Sequence, residues 1–103
     1  MPRRHHVEIT RRAERDILAI FEHTAEENEK AAIDWMGEVE RQIKTLERFP
    51  KRCPVIPESI ELEREYRHLI YGNYRTIFRI TGSSVIILRV IHGSQLLDLQ
   101  VLK

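Results

Sequence analysis

The sequence predicts an α+β fold: a small twisted antiparallel sheet, made of an N-terminal strand and a three-stranded meander, packed on a helical hairpin. Three observations predict it. The N-terminal half carries two stretches with apolar residues at helical spacing, the C-terminal third alternates aromatic and β-branched residues, and the breaks within each part are short. A chain of 103 residues has room for one domain, 1–103, and one modest core.

His6 to Ile9 reads as a strand, because Val7 and Ile9 alternate with His6 and Glu8. Thr10 stands where a helix N-cap belongs, and Ala13, Ile17, Ile20, Phe21 and Thr24 follow at helical spacing. Asn28 offers a second cap before the stripe Ala32, Trp35, Met36, Val39, Ile43 and Leu46, which Phe49-Pro50 ends. The short joint near Glu26 to Glu29 makes the helices antiparallel, with Ile17, Phe21, Trp35, Val39 and Ile43 in their shared core. Pro50 to Glu65 holds three of the four prolines and a run of glutamates, and reads as an irregular surface connection. Tyr66 to Tyr71, Tyr74 to Thr81 and Ser84 to His92 are strands, separated by Gly72-Asn73 and Gly82-Ser83.

A two-residue turn at Gly82-Ser83 pairs 81 with 84, 79 with 86, 77 with 88 and 75 with 90. Arg75, Ile77, Arg79, Ile86, Leu88, Val90 and His92 then share one face, and Thr76, Phe78, Ile80, Val85, Ile87, Arg89 and Ile91 the other. Neither face is purely polar. Helices on one side would leave the second face apolar, which implies a further partner or the chain's own tail as its cover.

The composition, 42% hydrophobic and 32% charged, is that of a globular chain and excludes a disordered one. No apolar run reaches the roughly 20 residues of a membrane-spanning helix, so the expected location is the cytoplasm, with no membrane partner. Cys53 is the single cysteine, which excludes an internal disulfide, and it reads as an incidental thiol. The net charge of +1 hides a division: residues 1 to 65 carry 12 basic and 15 acidic side chains, residues 66 to 103 carry 5 and 1. Two readings fit that excess: a sheet surface offered to phosphate or to an acidic segment, or scattered solvated arginines.

Arg75, Arg79 and His92 carry the chemistry worth testing, since guanidinium forks hold phosphate and a histidine moves a proton near neutral pH. Such a set supports phosphodiester cleavage, while the plainer reading is arginines that stack or pair and a histidine that ends a strand. The face of Arg67 depends on the turn at Gly72-Asn73. No glycine-rich phosphate loop, Ser-His-Asp series or paired metal ligands appear.

The succession Val7-x-Ile9-Thr10-x-x-Ala13, Leu46-x-x-Phe49-Pro50, Tyr66-Arg67-x-Leu69, Gly72-Asn73-Tyr74-Arg75-x-Ile77-Phe78-Arg79-Ile80 and Val85-Ile86-Ile87-Leu88-x-Val90-x-His92-Gly93 resembles the RelE/ParE toxin superfamily of type II toxin-antitoxin systems, the plasmid-stabilisation proteins. The resemblance covers nearly the whole chain. It implies a cognate antitoxin, a small protein from the adjacent gene, that wraps around the toxin until it is degraded. RelE-like and YoeB-like members cut mRNA on the ribosome without a metal; ParE-like members inhibit DNA gyrase. Arg67 and Arg75 are similar to the family's strand arginines and His92 to its strand-end histidine, which makes these three the catalytic set of a nuclease. Arg79 and Arg89 are then expected to bind phosphate or target, and Leu96, Leu97, Leu99, Val101 and Leu102 the antitoxin; no metal and no cofactor are implied. The stretch His92-Gly93-Ser94-Gln95 departs from the nuclease pattern, with no tyrosine after the histidine and no basic pair. Losing one charge-stabilising donor costs on the order of a hundredfold in rate. The departure favours a ParE-like gyrase inhibitor over the alternatives, a ribosome-dependent mRNA endonuclease and a non-toxic binding module.

Overall fold

Two polar side chains set the helical layer. The structure, a computed structural model, describes residues 4–95. Strand β1 (His6–Ile9) ends at Thr10, whose hydroxyl accepts the Ala13 amide at 3.2 Å and starts α1 (Arg11–Glu27). Asn28 closes α1 by donating its amide to the Thr24 carbonyl, and opens α2 (Glu29–Lys44) by accepting the Ala31 amide at 3.0 Å. One extended residue thus caps both helices, and they fold back as a hairpin. A 3-10 turn over Thr45–Glu47 carries Leu46 into the core, and another over Pro50–Arg52 follows Phe49. A single helical turn, α3 (Ser59–Leu62), lies in the connection, and β2 (Arg67–Tyr71), β3 (Tyr74–Thr81) and β4 (Ser84–His92) form the meander.

The α+β class is as the sequence predicts, but the sheet is mixed. Its order is β1-β4-β3-β2, and β1 runs parallel to β4, with Val7 opposite Val85 and Ile9 opposite Ile87. A parallel pair needs a long crossover, and everything from α1 to β3 supplies it. Thr10 fixes the junction a second time: its amide donates to the Ile87 carbonyl at 3.1 Å and its hydroxyl to the Leu88 carbonyl at 3.3 Å.

The Gly82-Ser83 turn pairs Thr81 with Ser84 and Phe78 with Ile87, as expected, but the register then shifts. Ile77 faces Arg89, Thr76 faces Val90, Arg75 faces Ile91 and Tyr74 faces His92. Leu88 is the extra residue of a β-bulge, and from Val90 to His92 the β4 side chains change face. Phe78, Val85, Ile87 and Val90 pack with Ala13, Ile17, Val39, Ile43 and Leu46 in the core under the helices. Phe21, expected in that core, is half-buried and does not belong to it, while Trp35 packs against the core.

The second face is not left for a partner alone. Ile77 and Ile91, with Leu88 beside them, form a separate cluster with Ile56, Leu62 and Tyr66 of the connection. This strap is also hydrogen-bonded: the Ser59 hydroxyl donates to the Tyr66 carbonyl and accepts the Tyr66 amide, at 3.1 and 3.0 Å. The Ile56 amide donates to the Tyr66 carbonyl as well, and Val55 bridges Arg67 antiparallel to β2. The expected irregular surface connection therefore buries three large side chains on the sheet, each worth roughly 1.5–3 kcal/mol if fully buried.

Candidate functional site

The bulge decides what the sheet can offer. Arg75 and Arg79 stay on the face under the strap, with Ile77. His92 does not: it is paired with Tyr74, its ring meets the Tyr74 ring edge-on at 5.3 Å, and that ring meets Trp35 of α2 in the same way. His92 is therefore on the helix side, opposite Arg75, and the expected single patch of Arg75, Arg79 and His92 is not formed. The physical reason is Leu88: one extra residue reverses the alternation between positions 87 and 90.

Arg67 is placed by the turn at Gly72-Asn73, which pairs Tyr71 with Tyr74 and so puts Arg67 opposite Phe78, also on the helix side. From Tyr74 to Phe78 is four residues, so Arg67 and His92 lie roughly 13 Å apart along the strands. Arg67, Arg75 and His92 are thus not brought together.

Each strand arginine is also engaged. Arg67 donates to the Lys51 and Cys53 carbonyls at 3.1 and 2.6 Å and pairs with Glu65. Arg75 pairs with Glu58 of the strap at 2.9 Å. Arg89 is 4% exposed and forms a two-pronged pair with Asp16 of α1, at 2.7 and 3.2 Å. Asp16 accepts the Val90 amide as well, at 3.0 Å, where β1 no longer runs beside β4. Arg89, expected to meet a target, is instead a buried tie between helix and sheet. Arg79 donates to the Thr81 hydroxyl at 2.8 Å.

At the far end of the sheet His68, Tyr74, Arg75, His92 and Ser94 border a shallow hollow of about 390 Å³. The Ser94 hydroxyl lies 2.6 Å from His92 Nδ1, which also accepts the Ser94 amide at 3.0 Å. Burial pushes the His68 imidazole below its ordinary value, the Arg75 charge adds to this, and Glu58 opposes it. Burial pushes the Glu58 carboxyl up, but its own backbone amide, the Arg75 hydrogen bond and the charges of Arg75 and His68 outweigh it, and the net shift is down. Burial raises the Cys53 thiol, against the smaller pull of Arg52 and Arg67, so it is no ready nucleophile. Among the described residues, no group of three His, Cys, Asp or Glu could hold a metal ion, and no helix is long and apolar enough to cross a membrane.

Two surfaces escaped the sequence reading. A groove of about 510 Å³ runs between β1, α1 and α2, with Val7, Ile9, Ile17, Leu18, Met36 and Ile43 along it and Glu14, Glu40 and Glu47 at its margin. The signal was Leu18, an apolar residue outside the α1 stripe. The second surface is the turn after α2, where residues 41 to 52 hold five basic side chains and one acidic, a cluster that dividing the chain at residue 65 conceals. Leu96, Leu97, Leu99, Val101 and Leu102, expected to meet an antitoxin, lie outside the described residues.

The fold has solved counterparts. A chain of the chromosomal ParDE toxin-antitoxin system of P. aeruginosa is 22% identical, with a TM-score of 0.72 over 87% of this chain and 97% of that one. A chain of the RelBE2 toxin-antitoxin complex of Mycobacterium tuberculosis is 25% identical, with a TM-score of 0.56 over 89% and 94%. Comparison with functionally curated proteins returns no match. The sequence profile of the ParE toxin of the type II toxin-antitoxin system parDE matches residues 7–97. With β1, the helical hairpin, the meander and nine-tenths of the length accounted for, the chain belongs to the ParE toxin family of type II toxin-antitoxin systems.

Proposed function

We propose that this toxin is held inactive by a cognate antitoxin and, once free, blocks DNA gyrase and replication rather than cutting mRNA. The observation that carries the reading is the dispersal of the nuclease set: Arg67 and His92 stand roughly 13 Å apart along the strands, Arg75 lies on the other face, and Glu65 and Glu58 already hold the two arginines. A phosphate would have to displace both carboxylates and reach both faces. Electrostatic catalysis needs donors converging on one oxygen, and separated donors do not provide that.

The antitoxin is proposed to be an amphipathic segment that fills the mostly apolar groove between β1, α1 and α2, and Leu96, Leu97, Leu99, Val101 and Leu102 are proposed as further antitoxin-binding residues. Coexpression with the neighbouring short open reading frame should give a co-purifying complex, and Leu18→Lys should weaken it. A toxin that is monomeric and harmless when expressed alone would leave only a binding module of the same fold.

The mRNA-cutting reading keeps one observation in its favour, the exposed His92 beside the hollow it shares with Arg75 and His68. Induction separates the two. Gyrase inhibition should halt replication, produce filamentous cells and leave mRNA ends unchanged. Rapid cleavage of mRNA in the ribosomal A site, abolished by His92→Ala or Arg67→Ala, would overturn the gyrase reading and leave the family membership intact.

A further inference from the structure

We propose that the turn around Phe49 binds single-stranded nucleic acid, with the Phe49 ring stacked on a base and Lys44, Arg48 and Lys51 on the neighbouring phosphates. The first observation is charge. Residues 41 to 52 carry five basic side chains and one acidic against a whole-chain net of +1, so the rest of the molecule is net negative. Arg67, Arg75 and Arg89 are engaged by carboxylates, whereas no ion pair among the described residues involves Lys44, Arg48 or Lys51, all exposed or half-exposed. A dense run of exposed cations without ion pairs is therefore here, whereas among the described residues of the meander Arg79 alone, on the Thr81 hydroxyl, is an arginine without a carboxylate.

The second observation is the ring itself. Phe49 is 62% exposed, and its backbone is left-handed, with φ 48° and ψ 53°. A non-glycine residue in that region costs on the order of 1–3 kcal/mol and persists only where its surroundings enforce it. Arg52 enforces it: its guanidinium donates to the carbonyls of Arg48 and Phe49, at 2.7 and 3.2 Å, and to the Thr45 hydroxyl at 2.8 Å. The turn thus holds a large apolar ring out in water, where neither solvation nor local geometry favours it.

The third is shape. Phe49 and Arg52 border two hollows: one of about 980 Å³ that also meets Lys51 and Arg67, and one of about 430 Å³ that also meets Lys44 and Arg48. A ring raised between two hollows with cations on each side is what a stacked base with a phosphate to either side requires. An acidic protein segment would satisfy the cations but leave the ring nothing to stack on. The inference stands whether gyrase or the ribosome is the toxin's target.

The test is fluorescence anisotropy of the full chain with a labelled 12-nucleotide oligo-dT, and with polyglutamate as competitor. The wild type should bind, and Arg48→Glu with Lys51→Glu should weaken binding at least tenfold and flatten its salt dependence by roughly 0.7 in slope for each phosphate no longer neutralised. Lys30→Glu with Arg64→Glu, the same charge change elsewhere, should do much less. Phe49→Leu should cost roughly 5- to 150-fold, the range for losing one base stack. Phe49→Gly should weaken binding as much while raising the melting temperature, because glycine accepts the positive φ. No binding at protein concentrations of about 100 μM, the weak end of non-specific association, would overturn the proposal. So would oligo-dT binding that Phe49→Leu leaves unchanged and polyglutamate displaces, which would assign the surface to an acidic protein.

Discussion

The two faces of the sheet are covered by different means. Under the helices, a continuous stripe from α1 and α2 meets Phe78, Val85, Ile87 and Val90, and the one charged group drawn in, Arg89, is matched by Asp16. On the other face a strap of about a dozen residues contributes Ile56, Leu62 and Tyr66, and its polar ties include the Ser59 hydroxyl, the Val55–Arg67 bridge and the Glu58–Arg75 pair. A face covered by long elements is buried by periodicity; a face covered by a short one needs polar ties as well. The same difference explains three of the strand arginines: Arg67, Arg75 and Arg89 are spent on carboxylates, whereas Lys44, Arg48 and Lys51 of the turn after α2 stand without an ion pair among the described residues.

The largest effect should come from the helix face. Phe78→Ala should destabilise by about 4 kcal/mol in urea titration, the usual range for emptying a fully buried aromatic site. Arg89→Met should follow at about 3 kcal/mol, because it leaves the Asp16 carboxylate, 12% exposed, with only the longer and more exposed Arg12 contact at 3.6 Å. Restoring much of that loss with Asp16→Asn in the same chain would show that the stranded charge, not lost packing, was the cause. Leu62→Ala, on the strap, should cost about 2 kcal/mol, since Leu62 keeps some exposure and a short strap can relax around the gap. A Leu62→Ala loss equal to that of Phe78→Ala would break the comparison and make the strap an equal half of the core.

The smallest effect is in pH. His68 is shifted down, so its unfolded form takes a proton more readily; its contribution is complete above the ordinary value of 6.5 and is lost as pH falls through the lowered folded value. Glu58 is also shifted down, so its contribution holds above 4.5 and disappears as pH falls through its own folded value. The urea midpoint should therefore decline in two steps on acidification, and His68→Gln should remove the first. A profile that His68→Gln leaves unaltered would mean that the strap face does not sense this histidine.

By itself the sequence determined the parts whose causes are local. Thr10 and Asn28 cap because their side chains reach amides two or three residues away; the α2 stripe is buried because its spacing is helical; Gly72 and Gly82 turn the meander because both take positive φ, at 57° and 58°. Only the tertiary structure decided the rest. Leu88 is as good a strand residue as its neighbours, so nothing local marks it as the bulge; the two covers mark it, because shifting there sends Val90 to the helices and Ile91 to the strap. The direction of β1 depends on a strand whose paired residues come 78 positions later, and the glutamates of the strap read as solvated until Arg75 is seen beneath Glu58. Whether Arg75 and His92 meet depends on counting residues across that bulge, and alternation alone counts them wrongly because it assumes an unbroken ladder.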